Sequence, residues 1–414
     1  MPQKRYIQPP EHCTGCALCA NVCPADTIRM RLNEDGFLVP QVNIEHCINC
    51  GACIKACPAQ PAHLEILHSS AKQGTNPISY GGWHTNQDLH IASSSGGIFS
   101  ALAEWIFSKG GCVYGVVWRD KITAAFCKAE DMQELAPMRG SKYTQAVPDF
   151  VYREVKTELE KNRYVLFVGT GCQVYALKRY LRKPFARLLT VDIICAGVPS
   201  RNLLSSYVNY LEKKHGKELL HLNFRYKDGN WLNYKVQKIF IDGTKEADFT
   251  SENQFMNLFL SNQLFNKCCY KCPHTGFPRQ GDITLGDYWG VQYDNTKWPI
   301  KEGIASIIAN SDKGKQTIES LAQDASIELH NQPFSKLYEG QPHSYNLQKR
   351  KKLPAIRNKV LTALRTQSLE EIHETYYNHT YMWGLKIHRR SILAKLAKLP
   401  SKIKNLFKKR HSAL

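Results

Sequence analysis

The chain has 414 residues, 43% hydrophobic and 22% charged, the make-up of an ordinary globular protein with room for two or three domains. No run approaches the roughly twenty apolar residues of a membrane span, and the opening MPQKRYIQPPEH lacks the apolar core of a signal peptide, so a cytoplasmic setting is expected. The net charge of +19 raises nucleic acid as a partner, but ten Lys and Arg lie beyond Glu374, the last carboxylate; the body before them is closer to neutral, which argues against nucleic acid.

From Glu11 to Ala59 one fifteen-residue phrase is written twice, as EHCTGCALCANVCPA and EHCINCGACIKACPA. Both spell C-x2-C-x2-C-x3-C-P, in which three thiolates hold one 4Fe-4S cube and the fourth reaches the neighbouring cube. Cluster one is then expected on Cys13, Cys16, Cys19 and Cys57, and cluster two on Cys47, Cys50, Cys53 and Cys23. Zinc prefers two separated pairs, and disulfides do not call for a repeated triplet with Pro behind the fourth Cys. Between the phrases DGFLVPQVNI supplies a turn and a strand, which completes an α+β ferredoxin-like domain over residues 1–68. The polar, Gly- and Ser-rich run that follows is assigned as a linker over 69–92.

Apolar periodicity then begins. SSSGGIFSALAEWIFSKG predicts a helix with a Ser and Gly start, CVYGVVW a strand, and MRGSKYTQA a loop. The strand YVLFVG breaks at Thr170-Gly171-Cys172 into a helix, and LLTVDIIC breaks at Cys195 into another. Strand, tight turn, helix, twice over, predicts an α/β domain with a mixed, largely parallel sheet across 93–340. Cys172 and Cys195 fall at the strand ends, the edge where such sheets place ligands. Farther on, Cys269 and Cys272 precede the strand-like DITLGDYWG.

In that order, SSSGGIFSALAEWI, RGSKYTQA, GTGCQVYALKRYL, CAGVPS, CYKC and DITLGDYWG resemble the successive motifs of the coenzyme F420 hydrogenase/dehydrogenase beta subunit family, and the doubled cysteine phrase matches its ferredoxin-bearing members. The resemblance implies an iron-sulfur flavoprotein holding FAD beside a 4Fe-4S cluster and exchanging electrons with an organic substrate. It departs from the family at Gly171, where Pro is frequent, and at Ala196, where His is frequent. Cys172, Cys195, Cys269 and Cys272 are the candidate ligands of a third cube; the alternative is that one or two are ordinary buried cysteines. No G-x-G-x-x-G is present, so the flavin diphosphate is assigned to the helix start at Ser94, Ser95, Gly96 and Gly97, whose amides welcome an anion, against the alternative of a plain capped helix. Ser141, Lys142 and Tyr143 of the RGSKY loop are candidates to give the isoalloxazine a cation and a ring. Thr170, Gly171 and Gln173 complete the candidate contacts.

The expected function is an iron-sulfur flavoprotein oxidoreductase acting on coenzyme F420 or another reducible small molecule, with an electron-transfer subunit lacking its own substrate as the alternative. Ferredoxin or another redox protein is the expected partner. The segment 341–414 ends in LKIHRRSILAKLAKLPSKIKNLFKKR, a basic helical tail suited to an anionic membrane surface or an acidic protein.

Overall fold

The computed structural model describes residues 5–60, 63, 77–291, 297–339 and 353–377, so residues 69–76 of the expected linker and all of the expected basic tail except 353–377 lie outside the described residues. Among the described residues no helix is long and apolar enough to cross a membrane.

In the N-terminal unit β1 (Ile28–Leu32) and β2 (Leu38–Val42) pair antiparallel. Each cysteine phrase bends between its second and third Cys at a left-handed residue, Ala17 or Gly51, and continues as a short helix, Leu18–Asn21 or Ala52–Ala56. That bend is what brings thiols three residues apart round a common centre.

The body is built on an eight-stranded sheet. Its strands are β3 (Ile78–His84), β4 (Cys112–Trp118), β5 (Ala124–Ala129), β6 (Val165–Thr170), β7 (Leu188–Ile193), β11 (Ile283–Asp287), β12 (Ala305–Ala309) and β13 (Ile327–Asn331). The order is β13-β3-β12-β11-β7-β6-β4-β5, with β11, β7, β6 and β4 parallel and the flanking pairs antiparallel. The inner strands are near-continuous apolar runs because helices cover both faces. Helices Ile98–Phe107 and Asp312–Gln323 pack on one face, and Val151–Glu160 and Gly171–Leu181 on the other. A second, antiparallel sheet of β8 (Leu219–Tyr226), β9 (Lys235–Phe240) and β10 (Lys245–Phe249) shares a core with helices Arg201–His215, Gln254–Leu260 and Arg357–Ala363.

The linker assignment over 69–92 needs correction at its C-terminal half. Residues 78–84 form β3, inside the large sheet between β12 and β13, and Gln87–Ala92 is a helix capped by Asn86. The strand is hard to see in sequence because Gly81 and Gly82 are small for packing reasons. A Cβ on Gly81 would meet Trp298 at 2.7 Å, and one on Gly82 would meet the Glu328 carbonyl oxygen at 2.7 Å.

The N-terminal unit is fastened to the body through its backbone. Tyr152 Oη donates to the Cys16 carbonyl (2.7 Å), Gln145 donates to Thr14 O (2.9 Å) and accepts from Leu38 N (2.8 Å), and Arg153 donates to the Asn21 and Cys23 carbonyls (both 2.8 Å). Leu18 and Cys16 join the same apolar cluster as Tyr114, Phe167 and Leu177 of the body.

Candidate functional site

The first phrase and the last cysteine of the second converge. Burial pushes the Cys13 thiol up to about 12 and Cys57 to about 11, and Cys16 adds to both by its proximity. Cys19 is raised by burial and by Cys16, Cys13 and Cys57. Cys53 is raised by burial, with Cys23 contributing, while Cys47 is half-buried and Cys50 exposed. Cys57 therefore lies near Cys13, Cys16 and Cys19 as well as Cys53, and Cys23 lies near Cys53.

A further set of thiols gathers at the C-terminal edge of the parallel strands. Cys172 is the second residue of the helix after β6, Cys195 follows β7, and Cys269 and Cys272 lie in and just after the turn Lys267–Lys271. Burial raises Cys172, with Cys272, Cys195 and Cys16 adding; burial likewise pushes Cys272 to about 12, with Cys269 and Cys195 adding. Cys268 Sγ stands 3.9 Å from Cys269 Sγ, so five thiols rather than four surround the spot. Among the described residues no group of three or more His, Cys, Asp or Glu closes on a single metal ion. A cube spreads its ligands over four iron corners and needs a wider set. Cys112 is buried at the start of β4, and Cys127 is exposed on the edge strand β5.

These thiols open on a cavity of about 750 Å³, lined by the ends of β6, β7 and β11. All ten expected flavin contacts line it: Ser94, Ser95, Gly96 and Gly97, then Ser141, Lys142 and Tyr143, and then Thr170, Gly171 and Gln173. Ser94 Oγ and Ser141 Oγ are 3.1 Å apart and tie two of these segments together. Gly97 caps the helix Ile98–Phe107 in a left-handed conformation (φ 83°) with no side-chain cap. Gln173 Oε1 accepts from Thr170 N (2.9 Å) at the start of the other helix.

Two roles differ from expectation. The Lys142 ammonium is taken up by its own loop, donating to the carbonyls of Pro137 (2.9 Å), Met138 (3.0 Å), Arg139 (2.8 Å) and Gly140 (3.2 Å). Burial lowers it to about 7, and it is not a free cation waiting for a ring system. Gly96 is required by packing, since a Cβ there would stand 2.3 Å from Gly82 O and 2.7 Å from Ala305 N. Tyr143 stacks on Phe259 (4.5 Å between centroids), and Trp289 on Trp231 (4.9 Å), so both rings form cavity wall.

Sequence reasoning missed Arg225. It makes a two-point pair with Asp287 (3.0 and 3.1 Å), donates to Ser94 O (3.2 Å), and lies over the Tyr234 ring at 3.9 Å. Its one sequence signal is a charge inside the apolar strand LLHLNFRY. Lys227, just past the end of that strand, was missed for the same reason: its partners are distant carbonyls, those of His90 (2.7 Å), Ser95 (2.8 Å) and Glu302.

A two-phrase cysteine unit fastened to an α/β body, with more thiols at the ligand edge of its sheet, defines an iron-sulfur redox protein. Residues 12–60 match the family model of the 4Fe-4S dicluster domain, and residues 162–333 match the model of the C terminus of the coenzyme F420 hydrogenase/dehydrogenase beta subunit. Residues 162–333 are thus similar to the C-terminal part of that beta subunit, and a 4Fe-4S dicluster domain precedes them in the same chain. A chain of the F420-reducing NiFe hydrogenase complex from Methanosarcina barkeri is similar over 69% of this chain and 92% of its own, at 15% identity and a TM-score of 0.48. No curated protein sequence matches the chain.

Proposed function

We propose that the chain is an iron-sulfur flavoprotein oxidoreductase that passes electrons between ferredoxin-type cubes, FAD and an organic substrate. The observation that supports this best is the shared cavity, whose lining includes Cys172, Cys195, Cys269 and Cys272 together with all ten candidate flavin contacts. Thiols raised by burial are poor anions alone, and a bound cube's iron charge is what would hold them as thiolates. The donor set therefore fits a cube. A flavin fits too, for the cavity volume is in the range of small-molecule sites. Thr144 Oγ1 and Arg225 Nε, both on lining residues, are buried without a hydrogen-bond partner.

The proximity of the two sets of thiols supports an order for the centres. Cys172 feels Cys16, and Tyr152 lies close to both, so the first-phrase set adjoins the cavity. The second set, with exposed Cys50, faces outward and is where a ferredoxin or other redox partner meets the chain. FAD, when bound, supplies the conversion between single electrons and a hydride-type pair. The protein's part is to hold Tyr143, Trp289 and the segment Thr170 to Gln173 in the cavity lining.

The test is metal and flavin content of anaerobically prepared protein. Three cubes give about twelve irons, and Cys172→Ser should lower that to about eight while the N-terminal EPR signals persist. Unchanged iron in the variant would show Cys172 to be a buried bystander. Reduced ferredoxin should bleach the bound flavin in the parent chain. Bleaching without turnover of any small molecule would make the chain an electron-transfer subunit.

A further inference from the structure

We propose that one corner of the third cube is served by two thiols, Cys268 and Cys269, either of which can hold its iron. This rests on the reading of Cys172, Cys195, Cys269 and Cys272 as a cube site and goes beyond it, because that set of four leaves Cys268 without a role.

Five thiols line the cavity, and a cube takes four. The turn Lys267–Lys271 is a 3-10 helix, in which residues three apart eclipse, so Cys269 and Cys272 fall on one side of it. Cys268 is about a third of a turn round, a position that would ordinarily carry its side chain elsewhere. Its sulfur nevertheless stands 3.9 Å from that of Cys269. Cys272 and Cys172 are also close enough to disfavour the Cys268 anion, so the fifth sulfur lies among the ligand set. Each iron of a cube takes one thiolate, and ligands on different corners point outward and diverge. Two sulfurs nearly in contact therefore compete for one corner. Cys272 has no such rival beside it, for its sequence neighbours are Lys271 and Pro273.

The backbone on both sides of the pair is fixed. Asn266 N donates to Val198 O (2.9 Å) and Asn266 Nδ2 to the Cys13 carbonyl (3.2 Å), Cys269 N donates to Asn266 O (2.9 Å), and Tyr270 Oη donates to Asn262 O (2.8 Å). A change of ligand is then a rotation of two side chains between staggered positions and leaves the chain path alone. It also leaves the charge of the site unchanged: the iron bond to one sulfur breaks as the bond to the other forms, and the proton of the incoming thiol passes to the outgoing sulfur. Whichever thiol is off the iron stays protonated in the cavity lining, next to the metal.

The test counts iron in the full chain, prepared anaerobically in thiol-free buffer so that no small thiol fills a vacant corner, with EPR of the reduced protein. Alanine replaces cysteine because a serine oxygen can itself ligate iron. The parent, Cys268→Ala and Cys269→Ala should each hold about twelve irons, whereas Cys272→Ala and the double variant Cys268→Ala/Cys269→Ala should fall to about eight with the N-terminal signals intact. If the double variant fails to fold, judged by melting, the contrast between Cys269→Ala and Cys272→Ala carries the test. A fall to about eight irons in either single variant would assign the corner to that thiol alone and overturn the sharing, and twelve irons in the double variant would show that neither thiol is a ligand. About eight irons in the parent would remove the cube reading itself, and this proposal with it.

Discussion

Gly96 separates two explanations of the Ser-Gly turn, packing and ligand approach, and Gly96→Ala decides between them. The added Cβ would lie 2.3 Å from Gly82 O on β3 and 2.7 Å from Ala305 N on β12. Those two residues are register partners in the sheet, so the methyl lands on a ladder pair rather than beside a movable side chain. Overpacking of this kind costs about 1–3 kcal/mol where side chains give way. With backbone on both sides the upper end applies, and about 3 kcal/mol corresponds, for a chain of 414 residues, to a fall in melting temperature of roughly 3–4 °C. Gly110→Ala is the control: its φ is 66° and nothing lies within 4 Å of the new Cβ, so it carries only the left-handed backbone cost of about 1–2 kcal/mol. Melting of the two purified variants, read by far-UV circular dichroism, should place Gly96→Ala below Gly110→Ala, with flavin content falling in step with stability. A Gly96→Ala protein as stable as the control yet free of flavin would refute the packing argument and make Gly96 a ligand-approach residue.

Arg225→Met should destabilise by about 3–5 kcal/mol, because it strands the Asp287 charge it now neutralises, and adding Asp287→Asn should recover part of that loss; a cost below about 1 kcal/mol in thermal unfolding would mean Asp287 is hydrated. Tyr152→Phe removes one buried hydroxyl while keeping the ring, and should cost about 1 kcal/mol, with faster amide exchange concentrated in Leu18–Asn21; uniform exchange would show that the Cys16 carbonyl finds another donor. For the basic tail, the full chain should co-sediment with anionic but not neutral vesicles, and a chain ending at Tyr381 should lose this while keeping flavin and clusters; equal sedimentation of the two would assign the tail to an acidic protein partner.

What could be read from the sequence follows how far each feature's cause extends along the chain. The eight-cysteine unit is legible because cube chemistry fixes short spacings, and the match of residues 12–60 to the 4Fe-4S dicluster domain follows those spacings. Cys172 and Cys195 are legible at strand ends because β6 and β7 are apolar runs that stop abruptly. β3 is not, because its glycines answer to Trp298 and Glu328, more than two hundred residues away. Shorter separations, 62 and 75 residues, hide the charges too: Arg225 is neutralised at Asp287 and Lys227 is held by the Glu302 carbonyl, so each looks from sequence like an ordinary polar residue at an edge strand. Lys142 is the instructive case, since its neighbours in sequence pointed to the right cavity but not to the right role. Four carbonyls within five residues satisfy its ammonium, a closure set by the path of the 137–140 loop. Its charge can still act on a ligand through space, but its protons cannot, and a substitution there will test the loop before it tests the chemistry.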